Sequence, residues 1–233
     1  MKNHEEIGYI KFMSIKKIII TIFVTTVIFS GCSKLKTLPM VSAKNPYDVT
    51  GTSQVKPVAL TKVASKIRRG VKVGSYYVPQ TCEIERELKW KSNRTIYMDL
   101  DDLDEVFRDE FEASGWKVVG KEENLFEGRD YSGAEILIAA VITKIKSEIC
   151  MAGWSTDRSK GDLVIHVEWQ VYDPYQKNIL GKYKSRGSAR IEDFEDEAYL
   201  ILWENAFAMA TNNLLANKNF IKIASVSKKK VKK

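Results

Sequence analysis

A short apolar stretch near the amino terminus decides which part of this chain can belong to the fold. Lys16 and Lys17 precede twelve mostly apolar residues, 18–29, which are followed by the small residues Ser30 and Gly31. A basic start, an apolar middle and a small-residue end are the three parts of a secretory signal peptide. A helix needs about 20 apolar residues to span a bilayer, so this stretch is too short for a permanent membrane anchor. Residues 1–31 are therefore predicted to be a signal peptide that is removed on export.

Cys32 follows the small residues directly. The sequence Ser30-Gly31-Cys32 resembles the lipobox of bacterial lipoproteins, although Phe29 stands where that family prefers Leu. The resemblance covers the first 32 residues. It implies that the Cys32 thiol is diacylated, that the preceding peptide is cleaved and that the new amino terminus is acylated. An ordinary secretory signal followed by a chance cysteine is the alternative.

Two further features of the amino-terminal region refine this prediction. Residues 1–12 carry Glu5 and Glu6, which the basic start of a signal peptide normally lacks, so we expect translation to begin at Met13. Ser33 occupies the position at which Asp would favour inner-membrane retention in the lipoprotein sorting pattern. We therefore expect a lipid-anchored protein of the outer membrane that faces the periplasm. A Gram-positive host would instead place it on the outer face of its single membrane.

The net charge of +7 is concentrated at the two ends of the chain. Residues 1–31 hold four Lys and two Glu, and residues 228–233 hold five Lys, so residues 32–227 are neutral. We expect a neutral body to lack the clustered basic face that nucleic-acid binding requires, and no nucleic-acid partner is predicted. The Lys-rich tail, residues 225–233, is expected to be solvated or to make weak contact with anionic surfaces.

The cysteine count fits an exported lipoprotein. If Cys32 carries the lipid, Cys82 and Cys150 remain as an even pair in an oxidising compartment, and we favour a disulfide between them. Two buried free thiols are the alternative. A disulfide would place the segment around Cys82 beside the end of the strand that begins at Ala134. We expect no metal site, because the chain has no CxxC motif and His166 is the one histidine outside the signal region.

The pattern of the chain predicts one domain. Residues 32–66 lack sustained periodicity and contain three prolines, so they are expected to form a lipidated terminus and flexible tether. Residues 67–224 are expected to form a single α+β domain with a mainly antiparallel sheet and two helices packed on one face. A helix is predicted to end at Gly115, strands are predicted at 116–119, 134–150, 162–172 and 179–191, and a last helix at about 194–216. Residues 71–78 and 82–90 alternate as a hairpin would.

The part of the chain from about residue 95 to residue 220 also resembles a known group. It has Gly115-Trp116-Lys117-Val118 after a helix, a strand beginning Ala134-Glu135-Ile136-Leu137-Ile138, Val171-Tyr172-Asp173 at a hairpin and an Ala-rich final helix. This outline is similar to the small domain of periplasmic lipoproteins of the curli-secretion, penicillin-binding-protein activator and lipopolysaccharide-assembly types. The resemblance implies a partner-binding role, since such a fold alone does not define an activity.

Catalytic patterns are weak. Asp99, Asp101 and Glu110 have calcium-loop spacing, but Asp104 stands where that loop needs glycine, so the acids are better explained by a helix amino terminus. His166 is more simply explained as a structural or exposed histidine than as a catalytic one. We predict no enzyme activity and no cofactor. A cell-wall glycan- or small-ligand-binding or hydrolysing module is the alternative, and it would need two carboxylates about 5–10 Å apart in a cleft.

Aromatic residues in predicted loops give the remaining indication of function. Tyr172 and Tyr175 lie at the predicted hairpin tip, and Trp154 lies in a separate Gly-Trp-Ser-Thr loop. Exposed aromatic residues on loops are typical of protein interfaces. We therefore expect a non-enzymatic envelope adaptor or assembly factor that binds an envelope protein complex through these three residues.

Overall fold

The computed structural model of this chain describes residues 35–46, 55–91, 100, 103–120, 131–153 and 158–225. Its strands are β1 (Val58–Ser65), β2 (Lys72–Val78), β3 (Ile84–Lys89), β4 (Ile136–Met151), β5 (Ser159–Asp173) and β6 (Asn178–Glu195). Its helices are α1 (Leu103–Ala113), α2 (Ala198–Leu215) and α3 (Lys218–Ala224). The strands form one mixed sheet in the order β3-β2-β4-β5-β6, and β1 also pairs with β4. The predicted α+β class is confirmed.

Alternation along β5 defines the two faces of this sheet. Strands β4, β5 and β6 pair antiparallel, whereas β1 and β2 both pair with β4 in parallel. Between residues 163 and 171, every second residue of β5 is apolar and at most 1% exposed, namely Leu163, Ile165, Val167, Trp169 and Val171. Successive side chains of a strand point to opposite faces. We call the face with these buried residues the helix-covered face and the opposite one the open face.

Trp169 shows that α1 and α2 pack on the same face. Its ring centroid lies 6.2 Å from that of Phe107 in α1 and 5.6 Å from that of Phe207 in α2. The Trp169 Nε1 donates to Ser185 Oγ at 2.7 Å, and Ser185 Oγ donates to the Ala210 carbonyl oxygen at 2.7 Å. Satisfying the indole N–H in this way lets a large aromatic residue be fully buried.

Helix α1 ends as its sequence predicts. The Gly115 amide donates to the Glu112 carbonyl oxygen, and the Trp116 amide donates to the Phe111 carbonyl oxygen. With Gly115 at φ 81°, these two bonds form a Schellman motif, which favours glycine at that position. Residues at helical spacing fill the core below it: Leu103, Phe107 and Phe111.

The predicted tether is wrong for residues 58–65, which form β1. Val58, Leu60 and Val63 are buried, and the strand pairs in parallel with the start of β4. A register shift between Leu60 and Lys62 interrupts the two-residue alternation, so the sequence does not show it. The folded domain therefore begins before residue 67.

Three other predicted boundaries also change. The strand predicted at 116–119 is reduced to one isolated bridge, between Val58 and Val118. Strand β6 continues to Glu195, so the final helix begins at Ala198. Asn217 then caps a separate helix, α3, by accepting from the amides of Asn219 and Phe220. None of the helices in the described residues is both long and apolar enough to cross a membrane.

Candidate anchoring and partner-binding surfaces

Cys82 and Cys150 are joined by a disulfide, and their Cα atoms are 5.5 Å apart. Cys82 follows β2, and Cys150 lies in β4 directly opposite Tyr77. The bond therefore holds the β2–β3 hairpin against β4, as the cysteine prediction requires. Tyr77 and Cys150 alternate with core residues and so lie on the open face, where Leu35 and Phe194 pack against them. We call this end of the sheet, where β4 finishes, the disulfide end.

Residues 35–46, which we call the strap, are attached to the open face at the same end. The amide of Leu38 donates to Asp162 Oδ2 at 2.7 Å, and Arg190 Nη2 donates to the Leu38 carbonyl oxygen at 3.0 Å. Arg190 also donates to both carboxylate oxygens of Asp162, at 2.7 and 2.9 Å. These charge-assisted bonds raise the pKa of Arg190 above its ordinary value, and Leu38 itself is 8% exposed.

The strap then crosses the free edge of β6. The amide of Val41 donates to Ser188 Oγ at 2.8 Å, and the amide of Lys44 donates to Asn213 Oδ1 of α2 at 2.9 Å. The prediction of a flexible tether is therefore also wrong for residues 35–46. A single buried leucine and backbone hydrogen bonds hold the strap, and neither produces a periodic sequence pattern.

Two buried carboxylates lie next to the strap. Glu148 and Asp162 are 7% and 2% exposed and are directly opposite each other in the β4–β5 pairing. The hydroxyl of Tyr77 donates to Glu148 Oε2 at 2.8 Å. Burial, followed by the hydrogen bond and charge of Glu148, raises the pKa of Tyr77 to about 12. Both carboxylates thus accept hydrogen bonds from protein groups in a buried environment.

The β5–β6 hairpin carries two of the predicted partner-binding residues. Asp173 Oδ1 accepts from the amides of Tyr175 and Gln176 at 2.8 and 2.9 Å, a turn that the short Asp side chain favours. Tyr175 is 71% exposed, and Ile179 across the turn is 55% exposed. Tyr172 is half-buried on the open face. The sequence predicts Ile179 only as the first residue of a strand, and its position directly after the turn is the signal that indicates its exposure.

The remaining predicted sites, Trp154 and Cys32, lie outside the described residues. Met151 and Ser159, the strand ends that flank the Trp154 segment, pair with each other at the disulfide end. Tyr172 lies thirteen residues further along β5, which corresponds to roughly 43 Å at a rise of 3.3 Å per residue. The structure therefore does not bring these strand ends close to the two tyrosines.

His166 is half-buried on the open face, between two strands that carry cations. Burial, and then the charges of Lys144, Arg186 and Lys146, lower its pKa below the ordinary histidine value. Within the described residues, no group of three or more His, Cys, Asp and Glu side chains has the arrangement of a metal site. A metal ion bound by His166 would need further ligands such as His, Cys, Asp or Glu around it, whereas Lys144, Arg186 and Lys146 are cations.

A scan with protein-family models finds no match to this chain. A search of curated proteins also finds no match. Similar solved structures include a Xanthomonas campestris protein of family DUF330, with 10% identity, 75% of this chain and 90% of that chain covered, and a TM-score of 0.42. A minor lipoprotein from Acinetobacter baumannii has 9% identity, coverage of 74% and 98%, and a TM-score of 0.34. The PelC dodecamer from Paraburkholderia phytofirmans has 8% identity, coverage of 78% and 94%, and a TM-score of 0.30. At these TM-scores the likenesses carry no argument, and the resemblance to assembly lipoproteins stays a prediction.

Proposed function

We propose that this protein is a non-enzymatic envelope lipoprotein, anchored in the outer membrane through Cys32, that faces the periplasm and binds a protein partner. The attachment of the strap to the open face is the observation that carries the proposal. Leu35 is three residues after Cys32, a distance of at most about 11 Å of extended chain. A lipid on Cys32 would thus be attached close to the disulfide end, without a long tether between lipid and domain.

The partner-binding part of the proposal rests on the hairpin tip. Tyr175 and Ile179 expose apolar surface on a rigid turn, and exposed aromatic residues of this kind are enriched among the residues that dominate binding energy. The tip is at the opposite end of β5 from the strap. The lipid and the tip can therefore act independently, one as an anchor and the other as a contact for an adaptor or assembly partner.

Membrane fractionation of wild type and Cys32→Ser tests the anchor. The lipoprotein assignment requires wild type in the membrane fraction and the variant in the soluble periplasmic fraction. Unchanged membrane association of Cys32→Ser after a wash with about 0.5 M salt, which releases proteins held by charge alone, would refute lipidation at this residue.

Site-specific photo-crosslinking tests the tip. A crosslinker in place of Tyr175 should give an adduct of one defined mass in cells, and the additional change Ile179→Asp should remove it. The matched control places the same crosslinker at Lys222, an exposed residue of α3. Equal adducts from both positions would contradict a specific contact at the tip.

A further inference from the structure

Cations from three strands, β1 with its end, β4 and β6, lie on the open face of the sheet. Lys144 of β4, His166 of β5 and Arg186 of β6 are direct cross-strand neighbours in one row. The next rows place Lys184 opposite Glu168 and Lys182 opposite Gln170. Seven exposed basic side chains lie on this face in these rows or next to them: Lys62, Lys66, Lys144, Lys146, Lys182, Lys184 and Arg186. We call these seven residues the basic face.

Negative charge is scarce on this part of the described sheet. Among the outward positions of these rows, the carboxylate is Glu168, which Lys66 Nζ approaches to 3.4 Å. Hydrogen bonding from Gln170, together with the charges of Lys66 and Lys182, lowers the pKa of Glu168. The pKa of His166 is lowered first by burial and then by the cations that flank it on both sides.

The expectation that a neutral body lacks a clustered basic face is therefore wrong. Acids balance the total charge of residues 32–227, but many of them lie away from these rows, in α1, in β3 and in the run at 192–197 that includes the end of β6. Composition reports only the sum of the charges. The alternation of β4, β5 and β6 separates them in space, because polar residues at every second position all point to one face.

The geometry of the basic face suits an extended anionic surface better than a single small ligand. Alternate residues of a strand are about 6.6 Å apart and neighbouring strands are about 4.8 Å apart, so the charges form a two-dimensional array that follows the twist of the sheet. The aromatic residue that β5 adds to this face is Tyr172, at its far end. Sequential aromatic platforms, which single-stranded nucleic acids stack on, are not part of the array.

The strap begins on this same face, three residues after the proposed lipid attachment site. Leu35 packs on the open face beside Cys150, and Leu38 is bonded there to Asp162 and Arg190. A lipid on Cys32 would enter the membrane within about 11 Å of Leu35. We propose that the basic face lies against anionic lipid headgroups, so that the lipid and the sheet contact the same membrane. This inference rests on the lipid anchor of the proposed function, and it leaves the helix-covered side accessible to partners.

Vesicle binding by the unlipidated mature chain, residues 32–233 with Cys32→Ser, tests the basic face separately from the lipid. The vesicles contain one-third phosphatidylglycerol and two-thirds phosphatidylcholine. Each cation near such a surface strengthens binding about fivefold, so Lys144→Gln, Lys184→Gln and Arg186→Gln together should weaken it roughly a hundredfold. Binding should also fall steeply as salt is raised to about 0.5 M.

The matched control removes three exposed lysines outside the basic face, one after β3 and two in α3: Lys91→Gln, Lys218→Gln and Lys222→Gln. Both triple variants keep the Lys-rich tail and the same net charge. The basic face is supported if the first variant loses binding and the control changes it less than about threefold, with equal melting temperatures. Equal losses in both, or no binding by the parent chain, would overturn it.

The outcomes separate this inference from the anchor. If Cys32→Ser becomes soluble in cells but the basic-face variant binds vesicles normally, the lipid anchor holds and the basic face does not contact lipid. If the vesicle result is as expected while Cys32→Ser stays with the membrane even after a wash with about 0.5 M salt, the face binds lipid and lipidation is refuted. Salt-sensitive binding to a DNA oligonucleotide or an acidic protein, without binding to vesicles, would overturn the membrane assignment.

Discussion

Gly187 in β6 lies directly against the backbone of α2 at Ala206. A Cβ atom at this glycine would overlap the Ala206 carbonyl oxygen and stand 2.7 Å from the Ala210 amide nitrogen. The residues of α2 that meet the strand are themselves small. Close backbone approach therefore sets the separation between the sheet and its main helix. A side chain at position 187 would meet backbone atoms of α2, which cannot move aside as a flexible side chain can.

Gly187→Ala should lower the free energy of unfolding by about 3 kcal/mol or more, because either β6 or α2 must move. Gly181→Ala is the matched control on the same strand. The obstacle there is the Tyr183 hydroxyl at 2.7 Å, the far end of a side chain that can rotate. Chemical denaturation of the mature chain measures both. Similar losses in the two variants would show that α2 is not held as closely as this contact indicates.

The sequence predicted the elements with regular periodicity. The alternation of β5 predicted a strand with one buried face, the helical spacing of α1 predicted a helix with one buried face, and Gly115 predicted the end of that helix. The structure contains all three features. Strand β1 was missed because its register shift breaks the alternation within eight residues. The strap was missed because its attachment depends on backbone amides and on Asp162, which is distant in sequence.

The surfaces were predicted less completely. Tyr175 was identified correctly as an exposed turn residue, because turn chemistry is local. The basic face was not anticipated, although its residues occur at alternate positions in β6, since the summed charge of the body concealed it. Deciding that alternate lysines of different strands share one face requires the strand pairing, which a single sequence does not provide.

Asp162→Asn should detach the strap. The variant loses the charge that Arg190 and the Leu38 amide bind, and the expected decrease in unfolding free energy is about 2–3 kcal/mol. Hydrogen exchange of the Leu38 amide should become faster, and proteases should cleave the strap more readily. Asp193→Asn is the control, because Asp193 is an exposed acid in the same strand as Arg190. Unchanged exchange at Leu38 in the Asp162 variant would contradict this role.

The disulfide should contribute substantially to stability, because it closes a loop of 68 residues. In the chain-entropy model a loop of this length corresponds to roughly 4 kcal/mol, so Cys82→Ser/Cys150→Ser should melt at a lower temperature. Reductant should lower the melting temperature of wild type to that of the double variant. If reductant lowers both melting temperatures equally, the decrease has another cause.

His166 should make both stability and membrane contact depend on pH. Lys144 and Lys146 from β4 and Arg186 from β6 surround it, with Glu168 two residues away, and its pKa in the folded state is below the ordinary value of 6.5. The unfolded chain therefore takes up a proton at a higher pH than the folded chain does. Stability is complete above about pH 6.5 and decreases as the pH falls toward the depressed folded value.

His166→Gln should remove this part of the pH dependence, as melting temperatures at two pH values on either side of 6.5 would show. Binding to anionic vesicles has the opposite sign, because protonation adds a positive charge to the basic face. Anionic vesicles should accordingly raise the pKa of His166, which NMR titration of the mature chain's one histidine can measure with and without vesicles. An unchanged pKa on vesicles that do bind the protein would mean that the membrane contacts another surface.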